Sequence, residues 1–139
     1  MKLERRNGMK KKIILTISFL ISLIPMLFNQ YGGAKGVQEI SGLINLLNPI
    51  GIISVILFVS GVWIHFKKAK TNKIIGGLGA IGIVISEIYN FLTWHIHTIT
   101  GNISIKTSIR LAFTEFYVGL VISLIMVFVY FFSDKIVEK

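Results

Sequence analysis

No Asp, Glu, Lys or Arg occurs between Glu115 and Asp134, and the chain is broken elsewhere into similar uncharged runs. An α-helix needs about 20 apolar residues to cross roughly 30 Å of bilayer hydrocarbon. Four stretches reach or approach that length: 13–28, 43–66, 74–94 and 109–132. The composition points the same way. Of 139 residues, 53% are hydrophobic and only 15% are charged, against about 25% charged in an ordinary soluble domain. The predicted fold is an all-α integral membrane protein, a four-helix transmembrane bundle forming a single domain over 1–139. The shortest span, 13–28, carries Pro25 in its last third. The second holds Asn48-Pro49, a cap and first-turn pair, so its regular part is expected to begin at Pro49.

Fifteen Lys and Arg against six acids give a formal charge of +9. In a soluble chain such a balance suggests nucleic acid; between apolar spans it reports topology, because short cytoplasmic loops retain cations. Lys2, Arg5, Arg6, Lys10, Lys11 and Lys12 precede the first span. Lys67, Lys68, Lys70 and Lys73 lie in the basic turn 67–73, and Lys135 and Lys139 follow the last span. The other side holds Lys35, Lys106 and Arg110. Both termini are therefore expected in the cytoplasm of a multi-pass cell-membrane protein, with outer loops 29–42 and 95–108. Trp63 and Trp94 fall where interfacial belt residues sit. Lys67, Lys68, Lys70 and Lys73 are expected to meet anionic lipid headgroups or a protein partner. No nucleic-acid partner is implied.

The first span has a second reading. A basic start, an apolar core from Ile13 to Ile24, Pro25, and small residues up to Ala34 resemble a secretory signal peptide. Cleavage after Ala34 leaves three helices and an N-terminus outside.

Two acids fall inside predicted spans, where ionisable groups normally face a bundle interior or a wet cavity. At 100° per residue, Gly76, Gly79, Ala80, Ile83, Glu87, Asn90 and Trp94 share one face of the third span. Small residues let membrane helices approach closely, so Gly76, Gly79 and Ala80 predict a packing seam with Glu87 pointing inward. In the fourth span Ser108, Leu111, Ala112, Glu115, Gly119, Ile122 and Met126 share a stripe, giving Gly119 the same packing role. In the second, Asn45 and Asn48 share a direction with Ile52, Ile56, Val59 and Trp63. Together these faces predict an outward-opening polar pocket, or an ion or proton site, built from Asn45, Asn48, Glu87, Asn90, Arg110 and Glu115.

Other motifs carry less. His95-Ile96-His97 has a spacing that two metal ligands use, but with no cysteine in the chain the donor set is short, and interfacial histidines beside Trp94 are the simpler account. His65 beside Lys67 is weaker still. Asn102-Ile103-Ser104 matches a glycosylation sequon in an outer loop. The run Gly76-Gly77-Leu78-Gly79-Ala80-Ile81-Gly82 lacks the Lys-Ser/Thr ending of a phosphate loop and reads as helix packing. No nucleophile elbow, HExxH or dinucleotide fingerprint occurs, so no catalytic residue, cofactor or metal is expected.

With Ala34 as a cleavage site, two spans around a basic turn are similar to a type IV secretion pilin, although such pilins lack a counterpart to the fourth span. Uncleaved, a four-helix chain with small outer loops is similar to bacteriocin immunity proteins and to holins. These resemblances are architectural and transfer no residue roles. The expectation is a noncatalytic membrane protein acting through helix and partner contacts with other membrane subunits or with itself, as an accessory subunit, immunity factor or secretion and assembly component. The alternative is a small ion- or proton-coupled transporter using Glu87; a membrane enzyme is a third.

Overall fold

The computed structural model describes residues 2–33, 38–64 and 69–137. The chain is mostly helical. α1 spans Lys2–Leu23 and passes into a 3-10 turn at Ile24–Leu27. Two short strands follow, β1 (Asn29–Tyr31) and β2 (Ile40–Ser41), then α2 (Ile44–Leu47), α3 (Pro49–Trp63) and α4 (Ala69–Thr93). A π-helical turn at Ile96–Thr100 leads to α5 (Ile105–Leu111) and α6 (Thr114–Val137). Among the described residues, Lys70–Thr93 and Thr114–Val137 are long and apolar enough to cross a membrane, and Pro49–Trp63 is a shorter apolar helix.

Each boundary has a local cause. Pro25 lies in the first positions of the 3-10 turn and ends the α1 register, so the regular helix stops at Leu23 rather than running to 28. At its other end α1 takes in the basic residues expected to precede it. Asn48 is extended and accepts a hydrogen bond from Gly51 N at 3.0 Å, capping α3 with Pro49 in its first turn. The expected 43–66 helix is thus two helices, and α3 stops at Trp63, short of the predicted end. The Asn72 amide donates to Gly61 O in the last turn of that helix. α4 begins at Ala69, five residues before the predicted start, and carries Lys70 and Lys73 in its opening turns.

The fourth predicted span is also interrupted. Ala112 is extended (φ −85°, ψ 135°), and it bridges Tyr31 while Phe113 N donates to Gln30 O at 2.8 Å and Gly32 N to Leu111 O at 2.9 Å. β1 therefore lies between β2 and the 111–113 stretch. This ribbon closes the end of the molecule where residues 29–42 and 95–108 were expected to be plain loops. The pairing of β1 with β2 is antiparallel, Asn29 opposite Ser41 and Tyr31 opposite Ile40, with an irregularity between.

α3 lies against α4, α1 against α6, and α4 against α6. The α3–α4 seam is a backbone contact. A Cβ on Gly61 would fall 2.3 Å from Gly76 Cα, and one on Gly79 would fall 2.2 Å from Phe58 N. Gly76 also makes room for Tyr130, whose hydroxyl donates to Asn72 O at 3.1 Å. Two apolar cores fill the interior. One joins Leu15, Met26, Phe58, Ala80, Ile83, Met126 and Tyr130; the other joins Tyr31, Trp94, Leu111 and Phe116 under the ribbon. At the end carrying the termini, Asp134 pairs with Lys11 and, at 3.4 Å, with Lys73, tying α6 to α1 and α4.

Candidate functional site: a closed amide network

The polar interior lies beneath the ribbon. Asn45, in α2, is 1% exposed. Its Oδ1 accepts from Tyr31 Oη at 3.1 Å and from Asn90 Nδ2 at 3.2 Å, and its Nδ2 donates to Gln30 Oε1 at 2.8 Å. Gln30 Nε2 in turn donates to Pro25 O at 3.2 Å. Asn48 Nδ2 donates to Ser86 Oγ at 2.6 Å, and Asn90 Nδ2 also reaches Ile44 O at 3.0 Å. Three glycines make the fit. A Cβ on Gly42 would strike the Gln30 amide, one on Gly51 would lie 2.3 Å from Asn45 O, and one on Gly119 would lie 3.1 Å from Gln30 Nε2. Buried amides with donors and acceptors matched in this way fix one arrangement of helices, because leaving any of them unpaired is costly.

Glu87 lies one turn along α4 from Asn90 and is 2% exposed. Ser123, on the buried stripe of α6, donates to its Oε1 at 2.6 Å, while Oε2 has no hydrogen-bond partner among the described residues. The whole predicted face of α4, from Gly76 through Glu87 and Asn90 to Trp94, is buried.

The structure does not bring the other predicted pocket residues there. Glu115 and Arg110 are both exposed. The extended Ala112 breaks the angular count that carried the stripe from Ser108 to Met126; Gly119 and Met126 stay on the buried face of α6, which they share with Phe116, Ser123, Tyr130 and Ser133, while Glu115 leaves it. A similar break at Asn48 uncouples the α2 amides from the α3 face. Ile52, Ile56, Val59 and Trp63 are exposed, and α3 packs through Gly51, Ser54, Phe58, Gly61 and Val62. Asn45, Asn48 and Asn90 thus meet in a closed network rather than an outward-opening pocket.

Trp94 is buried and stacks on Tyr31 with ring centroids 5.5 Å apart, so it packs in the core rather than facing outward. Trp63 is exposed under Lys12 Nζ. His95 is fully buried, its Nδ1 2.8 Å from Thr100 Oγ1 and its Nε2 2.8 Å from Ser108 Oγ. It pins the π-helical turn to α5. Among the described residues no three His, Cys, Asp or Glu side chains converge as a metal site would require. Lys70 and Lys73 are exposed at the start of α4; Lys67, Lys68, His65, Lys35 and Ala34 lie outside the described residues.

Gln30, Tyr31, Ser86 and Ser123 belong to the polar interior but were not singled out from sequence; His95, expected as an interfacial histidine, is buried as well. Burial pushes the Tyr31 phenol above its ordinary value. Gln30-Tyr31 carried one usable signal, a polar pair between an apolar run and Gly32-Gly33. Comparison with known protein families, curated proteins and solved structures returns no match.

Proposed function

We propose that this chain is a small polytopic cell-membrane protein with four membrane helices and cytoplasmic termini, working without catalysis through helix and partner contacts. Accessory subunit, immunity factor and assembly component are the roles of this kind. The observation that carries the reading is where polar and apolar groups go. The interior amides are committed to one another, while α6 turns most of its apolar length outward, with only 33% of its most apolar window buried. Val118, Val121, Leu124, Ile125, Phe128 and Phe132 form that outer surface. In a membrane such a surface contacts lipid or another helix. Four helices are favoured over three because removal of residues 1–34 would take Leu15, Met26, Gln30 and Tyr31 from the core.

The test has two parts. Single cysteines at Asn102 and Thr71 are labelled in intact cells with an impermeant reagent; reaction at Asn102 alone is expected, and reaction at Thr71 alone overturns the topology. Purification in mild detergent, with a photocrosslinker at Val121, is expected to return a larger complex joined through α6. A second reading, proton- or ion-coupled transport through Glu87, draws support from its Oε2, which has no hydrogen-bond partner among the described residues. A protein that runs alone and shows Glu87-dependent flux in proteoliposomes replaces the first reading with the second.

A further inference from the structure

We propose that the groove between α4 and α6, at the end carrying the termini, seats one anionic phospholipid. The proposal rests on the membrane-embedded reading above. The groove has a volume of about 390 Å³ and runs along α4 past Ile74, Leu78 and Ile81, with Phe131 of α6 as its far wall. Gly77 lies on its floor. With no side chain there, the Phe131 ring approaches the α4 backbone, and an added Cβ would be 3.1 Å from its Cζ.

Lys70 and Lys73 stand at the mouth. They share the α4 face with Ile74, Gly77, Leu78 and Ile81, since positions three and four apart lie above one another on a helix. Two ammonium groups therefore open onto an apolar channel about 10 Å long, the rise from Ile74 to Ile81. The polarity matches a lipid in its own leaflet, with phosphate at the surface and acyl chain directed inward. Charge favours the same occupant. Among the described residues Asp134 is the acid beside this mouth, and it is shared between Lys11 and Lys73, so those residues leave the mouth a positive balance. The N-terminal end of α4 adds its own partial positive charge. A basic turn alone attracts anionic headgroups diffusely; the groove adds a seat for the chain and makes the interaction one to one.

The experiment is native mass spectrometry of the full chain released from nanodiscs containing equimolar dioleoylphosphatidylglycerol and dioleoylphosphatidylcholine. Wild type is expected to retain one phosphatidylglycerol in preference. Lys70→Gln should lower the preference about fivefold, and Lys70→Gln with Lys73→Gln should abolish it. Leu78→Trp, at a position already 57% exposed, should fill the groove and reduce retention with both lysines intact. Equal retention of the two lipids by wild type overturns the proposal, and so does a preference that Leu78→Trp leaves unchanged. A wild type that enters nanodiscs but shows equal retention removes the lipid site and leaves the membrane reading standing. A chain that stays out of the bilayer removes both.

Discussion

Ser123 Oγ lies 2.6 Å from Glu87 Oε1 and donates to it, joining the buried stripe of α6 to that of α4. Glu87→Gln keeps an acceptor for this hydroxyl, so its stability should stay within about 1 kcal/mol of wild type. Glu87→Leu strands Ser123 in the interior and should cost about 1–3 kcal/mol. Thermal unfolding in detergent measures both, and proton flux in proteoliposomes is recorded on the same preparations. Flux that is present in wild type and lost in a fully stable Glu87→Gln assigns transport to this carboxyl. Without that flux, the pair is a helix contact.

Close approach of α3 and α4 should be the least tolerant feature of the fold. Gly79→Leu drives a side chain into the Phe58 backbone and should destabilise by about 3 kcal/mol or more, or prevent folding. Ile81→Leu, two residues on and 40% exposed, should stay within about 0.5 kcal/mol. Equal melting temperatures for the two variants would show that the seam is not where these glycines place it.

Periodicity read one helix well and two poorly, for a physical reason. α4 is unbroken from Ala69 to Thr93, so an angular count along it holds, and the face containing Glu87 and Asn90 is the buried one. In the second and fourth spans the count ran across Asn48 and Ala112, where the backbone is extended. Pro49 announces the first break. The second arises from pairing with β1, more than eighty residues earlier in the chain, and no local signal at Ala112 carries it. The amide network has the same origin: Asn45 and Asn90 are visible as polar residues in apolar runs, but Gln30 joins them only because the ribbon folds it back over α2.

Tyr31 gives the folded state a dependence on alkaline pH. Burial raises its phenol above the ordinary 10.0, so unfolding makes deprotonation easier. The stabilisation is complete below that ordinary value and is lost as pH rises through and beyond it. The thermal midpoint of wild type should therefore fall at alkaline pH more steeply than that of Tyr31→Phe. At neutral pH the variant should be about 1 kcal/mol less stable, having lost the bond to Asn45. Parallel curves for the two proteins over the alkaline range would count against the assigned burial.

Asn45 is the hub on which the network prediction turns, because its carboxamide serves Tyr31, Asn90 and Gln30 together. Asn45→Leu has nearly the same size but no polar atom, so it leaves the Tyr31 hydroxyl and the Gln30 carbonyl oxygen without these partners in a buried site. With each of these two stranded groups costing about 1–3 kcal/mol, the variant should lose about 2–6 kcal/mol and unfold at markedly lower temperature. Asn29→Ala provides the contrast. Its amide also makes a side-chain bond, to Glu39 Oε2 at 2.7 Å, but at an exposed position, where water replaces the lost partner and the change should stay within about 0.5 kcal/mol. Asn45→Asp separates charge from shape: the acceptor oxygen that serves Tyr31 and Asn90 remains, while the donor to Gln30 becomes a second acceptor facing an acceptor. Its stability should fall between the other two. An Asn45→Leu protein as stable as Asn29→Ala would mean that α2, α4 and β1 are held by their apolar contacts alone.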